Sequence, residues 1–368
     1  MSLGRFLKDG TTPATAATFS EFLDTMPRSG VLLEKVSGED KIALKDDSVL
    51  SLNNLGYKSF AASGDTEIGV DDLDAGSEFE VGVDYYIYLC DDGVDGKLLI
   101  SKNSTFPDGY SSESSRKIGG FHYGHVRAVN TLWIPVDSTD TAFGSGGTVW
   151  EQNVSIGIIP NSVWDLTHRP RCSPEGMGKV TDTLWMDIYE SSEAETIEFE
   201  GSGLHIKAGV LQSAYGQVPV TGTEGIHWYH MVELAGRIGK RLPTYEELLL
   251  AAFGNPEGQN GSDDYGWTKT SNSARTRTGC DVNASTGDYD DVSGIKPYAV
   301  SAYNIVDAVG NVRERTATII QRDGESFSWR DNVGSNKGQI YAGSDDSPVS
   351  IDAGGNWDNG ANAGARAA

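Results

Sequence analysis

The chain is short of cysteine, of positive charge and of long apolar runs, and each shortage removes a class of protein. Cys90, Cys172 and Cys280 are its three cysteines, far apart and with no CxxC among them. That pattern offers neither a disulfide framework nor a thiolate zinc site, and three unpaired, mostly buried thiols are expected. Lys and Arg number 29 against 53 Asp and Glu, a formal charge of −24. Such a surface repels nucleic-acid phosphates and anionic lipid, so neither nucleic-acid binding nor membrane insertion is expected. No apolar run reaches the roughly 18 residues of a membrane span. The first 19 residues lack the apolar stretch of a signal peptide.

Glycine is plentiful at 45 of 368 residues, which favours strands joined by tight turns over helices. Residues 1–50 carry short alternating runs, VLLEKV and KIALK, and read as a small hairpin-rich unit whose apolar faces need a partner, another domain or another chain. Residues 51–165 continue in β texture. YYIYL (85–89) is the strongest strand, DDG (91–93) its turn, and LLIS, KIGGFHYG and NTLWIPV follow at intervals that suit a small antiparallel sandwich. Gly119 and Gly120 would weaken a regular strand, so a bulge or a close backbone approach is expected there.

Residues 166–368 hold two helix signals. Apolar Met231, Ala235 and Ile238 follow Trp228 on one helical face, and Gly239 is a stop. Thr244 and Glu247 then form a T-x-x-E capping box, with Tyr245, Leu248, Leu249 and Ala252 on one face and Gly254 at the end. Two helices before a loop-rich stretch indicate an α+β unit.

Chemical motifs are sparse. The pairs His122/His125 and His227/His230 have no carboxylate at the zincin position and read as structural or surface pairs. There is no G-x-S-x-G, and GSGGTVW (144–150) lacks the Lys-Ser/Thr of a phosphate loop and reads as a turn. The segment DVNASTGDYDD (281–291) presents Asp281, Asn283, Asp288, Asp290 and Asp291 on a glycine-containing loop. Its oxygens could serve calcium, but the order is not that of an EF-hand, and a solvated acidic loop is the plainer account.

Three longer stretches carry a resemblance. GRIGKRLPTYEELLLAAFG (236–254), NIVDAVGNVRE (304–314) and AGGNWDNGANAGARAA (353–368) resemble, in order and spacing, elements of formylglycine-generating-enzyme and sulfatase-modifying-factor domains. The resemblance implies a C-type-lectin-like fold. LKDGTTPATAATF (7–19), DYYIYLCDDG (84–93), SSRKIGGFHYG (114–124), VWDLTHRPRCSPEGM (163–177) and LWMDIY (184–189) resemble the tropism-determinant type of variable protein, which phage use to bind receptors and which diversity-generating retroelements rewrite. The implied architecture is a mainly β N-terminal part, a β-prism-like trimerising unit (1–50) plus a small β-sandwich (51–165), followed by an α+β C-type-lectin-like domain with two helices (166–368).

In such proteins mutagenic reverse transcription alters adenines, so asparagine-rich closing sequence marks exchangeable positions. The resemblance assigns ligand binding to Asn356, Asp358, Gly360 and Asn362, with Trp357 and Arg366 as scaffold. A spacing of two puts alternate side chains of an extended segment on one face. The retained asparagines fit a template-like copy and a weak or unselected binder.

The resemblance also implies a structural calcium ion on side-chain oxygens of Asp307 and Glu314 and carbonyls of Gly310 and Val312; Asp307 stands where the family usually has Asn. The family continues to a final strand past the position of Ala368, so the resemblance implies either further residues there, which is the favoured expectation, or a copy that lacks the end of the fold. The family's enzymes carry a cysteine pair after the Gly-Gly-x-aromatic element, and residues 358–368 contain no cysteine. The expectation is a non-enzymatic, homotrimeric receptor-binding protein at a virion's tail-fibre tip, with a host-surface protein or glycan as partner. The alternative is a calcium-dependent lectin or a formylglycine-generating-like enzyme on the same fold; WDN (357–359) resembles the W-N-D of sugar binders, though in another order.

Overall fold

The computed structural model describes residues 32–46, 48–52, 59–61, 66–93, 96–127, 134–136, 149–151, 154–201, 203, 205–221, 225–253, 277–279, 300–320, 328–331, 339–342 and 349–355. The chain divides into two units, residues 1–124 with 156–169 and residues 125–155 with 170–368. In order, the first contributes β1 (Leu33–Lys35), β2 (Ile42–Leu44), β3 (Val49–Ser51), β4 (Ser59–Ala61), β5 (Thr66–Ile68), β6 (Val83–Asp91), β7 (Gly96–Ser101) and, up to Gly124, β8 (Ser115–Arg127). The antiparallel pair β9 (Ile134–Val136) and β10 (Val149–Glu151) intervenes before β11 (Val154–Ile158) and β12 (Trp164–Asp165).

Strands β1, β2 and β5 form one antiparallel sheet, and β11-β8-β6-β7 with β12 form another. Both supply one core: Leu33, Ile42, Leu44 and Ile68 pack in the same cluster as Tyr85, Ile87, Leu89, Ile100, Ile118 and Phe121. The expected division at residue 50 therefore falls inside a packed unit, because the short hairpin from residue 33 buries its apolar face against the strands that follow it. Asp165, fully buried, ties the start of β1 in place by accepting the N–H groups of Leu32 (2.6 Å) and Leu33 (3.2 Å), while its other oxygen accepts from Thr167 and His168.

The glycine pair in β8 is both a bulge neighbour and a close approach. Register slips between Ile87↔Gly119 and Tyr88↔Lys117, leaving Ile118 as the extra residue. A Cβ on Gly119 would overlap the Trp164 carbonyl and Leu33 Cδ1, and one on Gly120 would lie 2.6 Å from the Tyr85 carbonyl. Cys90 is buried and unpaired, its thiol pushed up to about 12 by burial; Cys172 is free and half-buried, and Cys280 lies outside the described residues.

The second unit continues with the hairpins β13 (Met177–Lys179)/β14 (Trp185–Asp187) and β15 (Ser191–Phe199)/β16 (Ile206–Ser213). Helices α1 (Trp228–Arg237) and α2 (Tyr245–Ala251) follow, then β17 (Glu314–Ile320), β18 (Ser328–Asp331), β19 (Gln339–Ala342) and β20 (Val349–Ala353). β17 pairs with β20 and β18 with β19, all antiparallel. Helix α1 ends before Gly239, which takes φ 72°, and buries His230, Leu234 and Ala235, with Met231 and Ile238 partly buried beside them. In α2 the Thr244 hydroxyl accepts from Glu247 N (3.2 Å) and the Glu247 carboxylate accepts from Thr244 N (2.9 Å). The C-type-lectin-like α+β unit thus has its two helices where the sequence periodicity put them. Gly254 and the acidic loop 281–291 lie outside the described residues.

The histidine pairs are structural where they are described. His230 accepts the His227 N–H at Nδ1 and bonds the Gly203 carbonyl at Nε2 (3.0 Å), consuming both ring nitrogens in a helix cap. His122 is buried against Asp84 (2.9 Å).

Candidate functional site

The motif NIVDAVGNVRE folds as a run of tight turns because Asn, Asp and Gly tolerate left-handed backbone. Asn304, Asp307 and Asn311 adopt φ of 57°, 58° and 52°, and Gly310 adopts 83°. Between them Ile305, Ala308 and Val309 pack against Val180, Ala251 and Ala252, so the loop is pinned by its apolar residues while its polar ones turn elsewhere. Asn304 accepts the Arg127 N–H (2.8 Å). Asp307, wholly buried, accepts the Gly279 N–H (2.8 Å).

A glutamate that sequence reading missed organises the next turn. Glu190 follows β14 and accepts Asn311 Nδ2 (2.6 Å), the Val312 N–H (3.2 Å) and the Thr278 hydroxyl (3.4 Å). No local pattern marks it: it ends the stretch LWMDIYE, and its partners lie about a hundred residues away in sequence.

Glu314, first residue of β17, is the unusual member. The residue is partly exposed, yet both its carboxylate oxygens are sealed from solvent and meet no hydrogen-bond donor among the described residues. Burial, then repulsion from Glu190 and more weakly from Asp307 and Asp352, raises its pKa well above the ordinary carboxylate range. Asp352 is also raised by burial but is held by Arg315, with contacts of 2.9 and 2.7 Å.

A buried carboxylate without a partner is costly unless something supplies positive charge. Of the expected calcium residues, Asp307 and Glu314 are therefore brought within electrostatic reach of one another, with Glu190 added to them. Among the described residues, no three His, Cys, Asp or Glu side chains are arranged as a ready metal cage. The oxygen-only donors fit a hard cation that also takes backbone carbonyls, which is calcium's habit. Asp307 and Glu314 would be its side-chain ligands, with Gly310 and Val312 on the same turn.

The other expected site residues, Asn356, Trp357, Asp358, Gly360, Asn362 and Arg366, lie outside the described residues. What is described is the stem of their segment. β20 ends at buried Ala353, opposite Glu314, and Gly354 and Gly355 follow at φ 79° and 75°.

A sulfatase-modifying factor enzyme 1-like domain matches residues 176–366, more than half of the chain. The chain belongs to that family. Upstream, residues 33–151 match the Mtd second domain. The chain is 29% identical over 231 residues to the tail fiber receptor-binding protein of Bordetella phage BPP-1, covering 60% of this chain and 52% of that protein. It thus spans about half the length of this curated relative. Its fold is that of the major tropism determinant: the P3c and U1 variants superpose with TM-scores of 0.59 and 0.58 at 22% identity, covering 100% of this chain and 82% of theirs. Among the described residues, no helix of this family member is long and apolar enough to cross a membrane.

Proposed function

We propose that this chain is a phage-type receptor-binding protein, displayed at a virion's tail-fibre tip, whose residues 356–368 contact a host-surface protein or glycan. The observation that carries the reading is the succession in one chain of an Mtd second domain and a sulfatase-modifying-factor-like domain. Likeness to a tail fiber receptor-binding protein supports it further. Asn356, Asp358, Gly360 and Asn362 are the exchangeable contacts, and Trp357 and Arg366 belong to the frame. Binding rests on side chains that exclude water at the contact, with no bond made or broken. The protein acts as a homotrimer, in which three sites joined rigidly turn weak contacts into useful avidity.

Calcium on Asp307 and Glu314 and on the carbonyls of Gly310 and Val312 has a structural role in this reading. It supplies the charge that the Glu314 oxygens lack. Catalysis is not part of the reading, since residues 358–368 offer no cysteine nucleophile.

The test is adsorption of the purified chain to host cells. Replacing Asn356, Asp358 and Asn362 together by Ala lowers adsorption by about tenfold or more and leaves the melting temperature in place. Unchanged adsorption, or loss of the fold, would overturn the assignment. Turnover of a cysteine-containing peptide would favour the enzyme instead, and a lone protomer in sedimentation at micromolar concentration would remove the trimer.

A further inference from the structure

Glu314 touches more than a cation's place. Across the β17–β20 pair it stands opposite Ala353, and a Cβ added to Gly354 would overlap its Oε2 while lying 3.1 Å from the Ala308 carbonyl. The Gly354 carbonyl in turn accepts the Gly310 N–H (3.2 Å). Glycine at 354 therefore meets two demands at once, a left-handed backbone and room for a carboxylate oxygen. Through these contacts the buried carboxylate, the 307–312 turn and the Gly354–Gly355 turn form one packed group. Close-packed groups of this kind do not rearrange independently.

We infer that the Glu314 carboxylate is a cation-dependent positioning device for the Gly354–Gly355 turn, so that calcium binding is energetically coupled to the segment that begins at residue 356. The inference rests on the reading of residues 356–368 as the binding segment, but its mechanics are separate from any receptor. With calcium present, the carboxylate is drawn to the ion and its position is fixed, and the glycine turn packed on it is fixed in turn. Without calcium, the two Glu314 oxygens have no hydrogen-bond partner among the described residues to fix them, and the glycine turn packed on them loses its support. Coupling of this sort is reciprocal: whatever misplaces the turn weakens calcium.

The experiment uses the full chain in calcium or in chelator, with melting temperature, terbium luminescence and hydrogen exchange of the peptide spanning 354–368 as readouts. Calcium raises the melting temperature and slows exchange in that peptide, and Glu314→Gln abolishes both effects. Gly354→Ala weakens calcium by about tenfold. Gly203→Ala serves as the control, since Gly203 is equally left-handed (φ 70°) but an added Cβ there meets nothing within 4 Å; it leaves calcium affinity unchanged. A Gly354→Ala chain that binds calcium as tightly as the parent overturns the inference. So does a parent chain that binds no calcium, or whose 354–368 peptide exchanges alike in calcium and chelator. The parent comparison stands even if a variant fails to fold. Calcium-dependent protection in a chain whose adsorption ignores residues 356–368 would instead overturn the proposed function and leave this inference standing.

Discussion

The two units solve the same problem by different means. In the first, a continuous apolar cluster from several strands does most of the work, with Phe79, Tyr85 and Phe121 in ring contact at 4.9–5.6 Å. In the second, the apolar residues are split into smaller clusters, and between them lie buried Thr278, Ser301, Asn304, Asp307, Asn311 and Thr316. A large apolar core is indifferent to charge and cation. A polar interior must satisfy the groups it buries, and the two Glu314 oxygens, like the Ser192 hydroxyl, are buried without a hydrogen-bond partner among the described residues. The comparison teaches that the buried carboxylate without a hydrogen-bond partner among the described residues falls in the unit with the smaller, divided apolar clusters.

The sharpest way to break this contrast is to cut into each core. Phe121→Ala removes a ring that is 1% exposed and packed against Phe79 and Tyr85, and should cost about 3–5 kcal/mol in urea unfolding. Leu234→Ala, in the smaller cluster with Ile206, Leu211 and Ile226, should cost about 2–3 kcal/mol. Equal losses would remove the distinction between the two cores. Thr244→Ala deletes the α2 cap and should cost about 1 kcal/mol, read in the same unfolding assay.

The smallest effect concerns pH. The hydrogen bonds from Arg241 first, opposed by burial and aided by the Thr244 N–H and the Arg241 charge, lower the Glu247 pKa below its usual 4.5. A depressed carboxylate stabilises the fold above its unfolded pKa and loses that contribution as pH falls through the folded value. Glu247→Gln should therefore cost under about 1 kcal/mol at neutral pH, because the Arg241 side of the pair is open to water, and nothing in strong acid. A difference that persisted in acid would show the effect is not ionic.

Much of the scaffold was legible in the residues because its signals are local. The Thr244–Glu247 box, the stop at Gly239 and the alternation of VLLEKV and KIALK each act within a few residues, and each element lies where they indicate. Gly119–Gly120 announced a crowded backbone without saying that Trp164 and Leu33 would crowd it. Asp307 and Glu314 were singled out through a motif, but Glu190 was not, since its hydrogen bonds to Asn311 and Val312 cross 121 and 122 residues. For the hairpin of residues 33–44 the sequence left open whether the next domain or another chain covers its apolar face, and the strands that follow it supply the other side of its core.

By itself the sequence determined the strand and helix elements, the acidic character and the oxygen-rich turn at 304–314, because propensity, capping and charge are properties of neighbours along the chain. Only the tertiary structure decided that Glu190 would brace that turn and that Gly354 would press against a sealed Glu314 carboxylate. Those pairings join distant segments, and burial, which sets the cost of an unpartnered charge, exists only once the segments have closed around it.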